Sequence, residues 1–519
     1  MWHFADSGDD LALLEQIDDR NGNWTLFEYD DEGAPRALVH SGGYRLSLTC
    51  AAGRVRALSL AGARPDGADQ EVLRYAYSGE GHLTEVTNSC GRPTRFGYDE
   101  RGRITFWTDT NNQSFTYAYD EQDRCTRQSG EAGHQRSEFT YSPADAATGQ
   151  RTTTITDSSG HDTRFVINER AQVIARIDPL GAATRFVRDR YNRLQQHTDP
   201  LGHTMTLEYD ALGRLITVTR PDGRAARAEY NHLGLPVKVV NPDGTVIRQS
   251  YDERGNCTAI SSPSGQITRY AHDEAGRLTS VTDPMGHTTT IANDPAGLRT
   301  EVTDPAGAVT RYERDAFGRL TAITDPVGAV SRLEWTLEGH LACHVAPDGS
   351  VESWTYDGEG NCTSHTDPLG SVSRYEYTHF DLLAAHTGPD EARYEFRHDT
   401  ELRLTGVVNP QGMAWSYEYD PVGNLVAETD FDGRRLAYTY DAAGNLASRT
   451  NAMGQTIRYE RDFLGQLTRK DAEGHITEYA PGNGPLPLPG PTGARACPQP
   501  VVLRPQSAPV GRSTRPHPL

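Results

Sequence analysis

A 21-residue period runs through nearly the whole chain and constrains its fold more than any other feature. The stretch YDALGRLITVTRPDG at 209–223 returns in altered form at Tyr251, Tyr356, Tyr419 and Tyr440. One series of turn glycines keeps intervals of 21 residues or a multiple: Gly213, Gly234, Gly255, Gly276, Gly297, Gly318, Gly339, Gly360, Gly423, Gly444 and Gly465. A second series does the same: Gly160, Gly181, Gly202, Gly223, Gly244, Gly265, Gly286, Gly307, Gly328, Gly349, Gly370, Gly412, Gly433 and Gly454. Such a period indicates a repeat architecture, here of roughly twenty units over 25–479.

Each unit contains two turns and therefore two strands. One turn, called the YD turn below, is Asp-x-x-Gly after a tyrosine, as at 210–213. The other, called the DP turn, has Pro second and Gly fourth, as in DPMG at 283–286. Proline fixes φ at the second position of the DP turn, and glycine at the fourth position can adopt the backbone conformation with which the chain leaves the turn. Because β-branched and aromatic residues fill the segments between turns, the pattern predicts an all-β antiparallel hairpin ribbon of about forty short strands.

Strand twist and the need to cover an apolar face predict that this ribbon coils. A coil that forms a hollow β-shell or solenoid needs no thick core. That fits a chain with 36% hydrophobic residues and a mean hydropathy of −0.65. Within a unit, the regular Leu and Val, such as Leu215 and Val218, are three residues apart. They are therefore predicted to face opposite sides of the sheet unless a bulge intervenes. The pattern leaves either face of the sheet as the inward one.

Net charge and hydropathy argue against some classes of partner, and cysteine spacing argues against disulfide and metal sites. The net charge of −20 argues against nucleic acid or an anionic membrane as partner. No apolar run approaches ~20 residues, so no membrane insertion is predicted. The start, MWHFADSGDD, lacks the basic and apolar regions of a signal peptide. Seven cysteines form no disulfide or metal-ligand pattern, and Cys125, Cys257 and Cys362 occupy a repeat position that elsewhere holds leucine, which predicts packed apolar residues.

Two recurrent polar positions could bind a metal, and each has a simpler structural explanation. Aspartates precede proline at Asp178, Asp199, Asp283, Asp304, Asp325 and Asp367. Calcium needs six or more oxygens around one point, whereas capping of its own turn explains a single Asp. Histidines share one repeat position at His197, His344, His365 and His386. Their expected separation of roughly 10 Å disfavours zinc, so a solvated or stacked ladder is favoured.

A recurrent arginine lies four residues after the second glycine. Its members are Arg95, Arg164, Arg185, Arg227, Arg248, Arg269, Arg311, Arg332, Arg374 and Arg458. An aromatic residue often follows, as in single-strand nucleic-acid platforms, but neighbouring side chains in a strand face opposite sides. Cross-strand pairing with Glu or Asp is the favoured interpretation. Tyrosines two apart, such as Tyr375 and Tyr377, share a face and are predicted to pack across strands.

The sequence offers no catalytic motif, since nucleophile elbow, P-loop, dinucleotide fingerprint and HExxH are all absent from it. No catalytic, cofactor-binding or metal-binding residue and no cofactor is predicted, and the protein is predicted not to be an enzyme. Two stretches break the period, SPADAATGQ at 142–150 and GPDEARYEF at 388–396. They are predicted to be loops rather than sites.

Tyr-Asp-x-x-Gly-Arg-Leu followed by Asp-Pro-x-Gly resembles the YD repeat of the Rhs family, which bacterial insecticidal toxin complexes and animal teneurins share. The resemblance covers about nine tenths of the chain and implies a β-sheet shell. In bacterial relatives the shell encloses a C-terminal toxin, often delivered by the type VI secretion apparatus with its tip proteins and a chaperone. We expect the protein to lie in the bacterial cytoplasm before export, or to be secreted by a route that needs no signal peptide.

This chain departs from that family at both ends. No PAAR-like tip module is recognised at the start, and the Rhs core segment that normally cleaves off the toxin is not recognised at the end. The family's catalytic aspartates therefore have no counterpart position. The expected division is degenerate repeats at 1–70, the YD array at 71–479 and a Pro-rich disordered tail at 480–519, which a change of reading frame would also explain.

Two functions from different classes follow. The first is a non-enzymatic β-shell fragment of an Rhs-type polymorphic toxin, which encapsulates or presents a C-terminal effector in interbacterial competition. The alternative is a YD-repeat module that binds carbohydrate or a cell surface through exposed Tyr, Arg and Asp. A third interpretation is a decayed gene whose product does not close a shell.

Overall fold

The computed structural model describes residues 1–6 and 12–479, and nearly all of them lie in strands or tight turns. The predicted Pro-rich tail, 480–519, lies outside the described residues. Within the described part the one helix is a 3-10 turn at Glu131–Gly133, and there is no helix long and apolar enough to cross a membrane. The all-β prediction is confirmed.

The first third of the array includes the degenerate units and the 142–150 loop. Its strands are β1 (Trp2–Asp6), β2 (Ala12–Asp18), β3 (Trp24–Tyr29), β4 (Pro35–His40), β5 (Arg45–Ala51), β6 (Arg54–Leu60), β7 (Gln70–Tyr77), β8 (Leu83–Asn88), β9 (Pro93–Tyr98), β10 (Ile104–Thr108), β11 (Ser114–Tyr119), β12 (Cys125–Gly130), β13 (Ser137–Tyr141), β14 (Arg151–Thr156) and β15 (Asp162–Ile167).

The remaining strands alternate regularly between five and six residues until the last two. They are β16 (Val173–Ile177), β17 (Ala183–Arg188), β18 (Leu194–Thr198), β19 (Thr204–Tyr209), β20 (Leu215–Thr219), β21 (Ala225–Tyr230), β22 (Pro236–Val240), β23 (Val246–Tyr251), β24 (Cys257–Ser261), β25 (Ile267–His272), β26 (Leu278–Thr282), β27 (Thr288–Asn293), β28 (Arg299–Thr303), β29 (Val309–Arg314), β30 (Leu320–Thr324), β31 (Val330–Trp335), β32 (Leu341–Val345), β33 (Val351–Tyr356), β34 (Cys362–Thr366), β35 (Val372–Tyr377), β36 (Leu383–Thr387), β37 (Arg393–His398), β38 (Leu404–Val408), β39 (Ala414–Tyr419), β40 (Leu425–Thr429), β41 (Arg435–Tyr440), β42 (Leu446–Thr450), β43 (Thr456–Arg461), β44 (Leu467–Ala472) and β45 (His475–Glu478).

All 45 strands form one sheet in which each strand pairs antiparallel with the strands before and after it in sequence. This is the up-and-down order that tight turns impose. The loop predicted at 142–150 is confirmed as the connection between β13 and β14. The loop predicted at 388–396 is wrong in its second half, because a tight turn at 388–391 leads directly into β37.

A β-bulge in each regular unit settles the orientation of the leucine and the valine. In β20, Leu215 lies opposite Tyr209 and Val218 lies opposite Leu207, with the register shifting between the two pairs. The extra residue turns Leu215 and Val218 to the same face, and both are buried. We call this the aromatic face, because it carries the YD tyrosines, and the opposite one the ion-pair face.

Where a YD turn begins with aspartate, that side chain caps its own turn. Oδ1 of Asp210 accepts the backbone N–H groups of Leu212 and Arg214, both at 2.9 Å, and Oδ2 accepts Nε of Arg214 at 2.6 Å. Gly213 takes φ +81°, in the left-handed region. The turn survives where glycine is missing, since Leu402 adopts φ +64°. The Asp cap therefore stabilises the turn, which also tolerates local backbone strain at its fourth residue.

The tyrosine of each YD pair links its unit to the preceding one. The hydroxyl of Tyr230 donates to the carbonyl of Leu215 at 2.7 Å, and that of Tyr440 donates to the carbonyl of Leu425 at 2.8 Å. Arginine adds a second link, because the Arg214 guanidinium lies 4.9 Å from the Tyr230 ring centroid. These contacts explain why Tyr, Asp and Arg recur together.

Tyr440→Phe is expected to lower the free energy of unfolding by about 1 kcal/mol, because it removes only the hydrogen bond to the Leu425 carbonyl. Chemical denaturation with intrinsic fluorescence measures the change. Tyr394→Phe is the matched control, because that exposed ring lies outside the YD position. Equal effects from the two variants would contradict the linking role.

Candidate functional site: the seam between the coils

The sheet winds back on itself, so that turns far apart in sequence touch. DP turns between 19 and 223 (the first coil) contact YD turns between 252 and 465 (the second coil), and we call this line of contacts the seam. Hydrogen-bonded partners across it are 235 to 266 residues apart. The predicted coiling is confirmed, and roughly twelve repeat units make one coil.

Three glutamates clasp the seam. Each is the third residue of a YD turn in the second coil and accepts donors from the second residue of a first-coil turn. Glu338 accepts the Ser89 hydroxyl at 2.6 Å. Glu359 accepts both the N–H of Thr110, at 2.8 Å, and its hydroxyl, at 2.5 Å. Glu401 accepts the N–H of Ser158 at 2.9 Å, and also its hydroxyl.

The clasps explain a departure from the repeat. Ser89, Thr110 and Ser158 occupy the turn position that holds proline in DPMG or DPLG. Proline has no N–H, whereas serine and threonine supply both an N–H and a hydroxyl. The clasping glutamates were missed from sequence alone. The sequence does contain a signal for them. These three first-coil turns, which lack proline at the second position, face second-coil YD turns that have glutamate at the third position.

Ser158→Pro is expected to open this clasp while preserving the turn, because proline fits that position elsewhere in the array. Loss of both donors to Glu401 is expected to cost about 1–2 kcal/mol. Hydrogen exchange measured by mass spectrometry should rise at 157–160 and 399–402. The matched control is Pro326→Ser in an exposed turn of the second coil, which should leave exchange at the seam unchanged.

Between two clasps the seam is aromatic. Phe380, at the repeat position of the glutamates, contacts Phe115 edge-on with centroids 6.4 Å apart and lies 5.6 Å from the His134 ring. A Cβ added to Gly130 would come within 2.1 Å of the Phe380 ring, so only glycine fits beneath it. One backbone hydrogen bond also crosses here, from Gln135 to the carbonyl of Thr400 at 2.7 Å.

Further along the seam lies one open cavity of about 340 Å³ with a mixed polar and apolar lining. Its apolar residues include Leu201 of the first coil and Phe463 of the second, and its polar residues include Asp199, His203 and Asp462. In the second coil the DP turns present exposed apolar tips: Met285 (81% exposed), Val327 (88%) and Leu369 (90%). Leu201 at the seam is only 45% exposed.

Carboxylates also gather at the seam. Burial, followed by the nearby charges of Glu359 and Asp381, raises the pKa of Asp109. In the described residues, no group of three or more His, Cys, Asp or Glu side chains is placed to hold a metal ion. The aspartates before proline cap their own turns, as Asp283 does by accepting the N–H groups of Met285 and His287.

On the ion-pair face, Glu–Arg pairs lie over buried alanines of the strand between them, and we call each such pair a strap. Glu376 of β35 and Arg393 of β37 pair through two hydrogen bonds of 2.5 and 3.0 Å, spanning Ala385 of the intervening β36. Ala385 is 1% exposed. The arginine lowers the pKa of Glu376. The same arrangement occurs twice more, as Glu28, Ala37 and Arg45, and as Glu418, Ala427 and Arg435.

Two of the four histidines in the predicted ladder are stacked on aromatic rings. His365 lies against Trp354 with centroids 5.1 Å apart, and His386 lies against Tyr375 at 4.9 Å. Tilted contact with Phe186 at 5.5 Å holds His197. His344 instead lies 3.7 Å from Glu352. Side chains of neighbouring strands therefore contact all four histidines.

The recurrent arginines follow the predicted cross-strand pairing only in part. Three of them form ion pairs, Arg95 with Glu85 at 3.2 Å, Arg311 with Glu301 at 3.1 Å and Arg374 with Glu391 at 3.7 Å. Three cysteines occupy the predicted leucine position. Cys125 and Cys362 are free thiols, as predicted, whereas Cys257 is disulfide-bonded, so that prediction is wrong for Cys257. Each lies opposite a YD tyrosine in the leucine position: Cys125 by Tyr119, Cys257 by Tyr251 and Cys362 by Tyr356.

The family model described as RHS Repeat matches ten stretches that together cover more than half of the chain: 68–105, 188–225, 209–246, 230–267, 251–288, 294–330, 338–372, 356–393, 398–435 and 440–479. This chain belongs to the RHS repeat family. No curated protein matches its sequence.

Solved structures share the RHS repeat fold. The crystal structure of TcdB2-TccC3-TEV matches with a TM-score of 0.67 and 14% identity over 87% of this chain and 35% of that one. The Tc holotoxin pore of Photorhabdus luminescens matches with a TM-score of 0.60 and 14% identity, over 86% of this chain and 29% of that one. This chain therefore has the hollow RHS shell fold and spans about a third of the length of these relatives.

Proposed function

We propose that this chain is a structural, non-enzymatic wall of an Rhs-type polymorphic toxin, which encapsulates or presents a C-terminal effector. The observation that carries the proposal is the seam. The seam joins turns of two successive coils of one sheet, so that the sheet encloses a space instead of packing around a solid core. In the described residues, no large side chain is less than 2% exposed, as expected of a wall one sheet thick.

The similar solved structures support an effector as partner. One is described as TcdB2-TccC3 without its hypervariable C-terminal region, which places a variable segment at the C-terminus of that protein. It matches with a TM-score of 0.58 and 14% identity over 90% of this chain. By analogy, the effector of the present protein would follow the YD array. Interbacterial competition, with delivery by type VI tip proteins and a chaperone, is the setting proposed for it.

The test uses the full chain carrying an unstructured, protease-sensitive reporter at its C-terminus. If the chain forms an enclosing wall, small-angle scattering should give a hollow pair-distance distribution, and the reporter should resist a protease that digests it when free. An elongated scattering profile together with a fully digested reporter would overturn the proposal. Binding to many glycans under the same conditions would instead favour the carbohydrate-binding module.

A further inference from the structure

One patch of the aromatic face, on β20–β25, is more deeply buried than neighbouring parts of that face. Directly opposed residues place its members on one side of the sheet, as Val218 and Ala226 show. Val218 is 5% exposed and Tyr270 is 8% exposed. The buried residues of the patch are Leu215, Val218, Ala226, Ala228, Cys257 and Tyr270.

Side chains at the same repeat positions in later units are more exposed. Leu320 holds the repeat position of Leu215 and is only half-buried. Tyr312 holds the position of Tyr270 and is also half-buried. Strand pairing is the same in these units, so the pairing does not explain the difference. Because a single sheet buries a face when another segment packs on it, the patch indicates a second layer over β20–β25.

Cys257 lies within the patch and forms a disulfide. It is 7% exposed, so a second copy of the chain has no access to it. The chain has seven cysteines, of which five are free thiols: Cys50, Cys90, Cys125, Cys343 and Cys362. The remaining one is Cys497, which lies outside the described residues. The count therefore leaves Cys497 as the partner of Cys257.

The described part of the second coil ends beside this patch. The guanidinium of Arg220, in the turn after β20, lies 5.4 Å from the ring centroid of Phe463, in the turn before β44. From there β44 and β45 lead to Tyr479. Cys257 is on β24, four strands or roughly 20 Å from β20. An extended segment of the length between Tyr479 and Cys497 spans up to about 60 Å, so Cys497 can reach Cys257.

The segment PGNGPLPLPGPTGARAC at 481–497 is suited to an apolar surface. It contains a single charged residue, Arg495, and two leucines that lie between prolines. Proline has no N–H, and proline-rich segments favour an extended conformation without internal hydrogen bonds. Such a segment can lie across the face of a sheet and bury its leucines while leaving few backbone donors unpaired.

We propose that residues 481–497 cover the aromatic face of β20–β25 and are anchored there by a disulfide between Cys257 and Cys497. Formation of the S–S bond removes one proton and one electron from each thiol. Oxidised glutathione takes them up through thiol–disulfide exchange and is released as two reduced thiols. A reducing cytoplasm keeps the two cysteines apart, so the anchor forms in an oxidising environment. This contact goes beyond the function proposed above and does not depend on an effector.

Peptide mapping of the full chain tests the disulfide. The reduced protein is incubated with oxidised glutathione, the remaining thiols are alkylated, and trypsin is applied without reduction. Cleavage after arginine gives 255–269, which contains Cys257, and 496–512, which contains Cys497. The two should be recovered from monomeric protein as one linked peptide. Cys362, at the repeat position of Cys257, is the matched control and should be recovered alkylated.

Hydroxyl-radical footprinting of the same samples tests the cover. In the oxidised wild type, Tyr270 should be labelled less than Tyr312, its counterpart outside the patch. In Cys497→Ser the segment loses its anchor, so the labelling of Tyr270 should rise to the level of Tyr312. Cys362→Ser is the control variant and should leave the labelling of both tyrosines unchanged.

Three results would overturn the proposal. The first is the absence of the linked peptide from monomeric protein, including capture of Cys497 by the exposed Cys90 instead of Cys257. The second is equal labelling of Tyr270 and Tyr312 in the oxidised wild type. The third is labelling of Tyr270 that Cys497→Ser does not change.

Discussion

Phe380→Ala is expected to open the seam at its aromatic contact and to lower the free energy of unfolding by about 2 kcal/mol. The ring is half-buried between Phe115, His134 and the backbone of Gly130. Truncation removes apolar burial and leaves a gap over a glycine that has no side chain to fill it. The loss is local, because each coil keeps its own strand pairing.

Two measurements check this result. Denaturant titration gives the stability change, read as a midpoint shift because repeat arrays need not unfold in one step. Hydrogen exchange locates it, and protection should fall at 130–135 and 378–381. Leu369→Ala is the control, since that side chain is 90% exposed at the tip of a DP turn. If the two variants behaved alike, Phe380 would not hold the coils together.

The repeat predicted the wall from sequence because each unit is a local object. A turn needs only its own Asp, Pro and Gly, and Tyr230 needs only the carbonyl of Leu215 in the unit before it. These contacts lie within two dozen residues and recur, so the period exposes them. Even the faces of Leu215 and Val218 depended on one local feature, the bulge.

The seam could not be predicted in the same way. Which turn meets which depends on the small twist and curvature of each strand pair, summed over roughly twelve units. An error of a few degrees per unit would move Glu359 away from Thr110 by a whole turn. Irregular features such as the 142–150 loop shift the register further. The sequence held the partners, but their pairing is a property of the accumulated geometry.

The straps show a different limit. Glu418, Ala427 and Arg435 are each unremarkable in the repeat, and strand alternation places all three on one face only after the bulge is known. A small residue then becomes obligatory, because the paired Glu and Arg side chains pass over it. The arginines that recur in the sequence lie elsewhere in the unit, and Arg435 does not belong to that series.

Ala427→Leu is therefore expected to be among the most damaging substitutions in the sheet, lowering the free energy of unfolding by about 1–3 kcal/mol. Ala427 is 1% exposed beneath the Glu418–Arg435 pair. A leucine must either break that pair or push strands β39 and β41 apart. Thermal and chemical denaturation measure the cost, and exchange at 414–440 locates it.

A second buried alanine distinguishes the effect of the Glu–Arg pair from ordinary crowding between strands. Ala322 holds the same repeat position at 7% exposure, but Val330 stands where the strap arginine would be. Ala322→Leu should cost less than Ala427→Leu. In addition, Arg435→Ala should relieve part of the cost of Ala427→Leu, because the leucine can then occupy the space of the guanidinium. Equal costs at both alanines, with no relief from Arg435→Ala, would show that strand crowding alone requires the small residue.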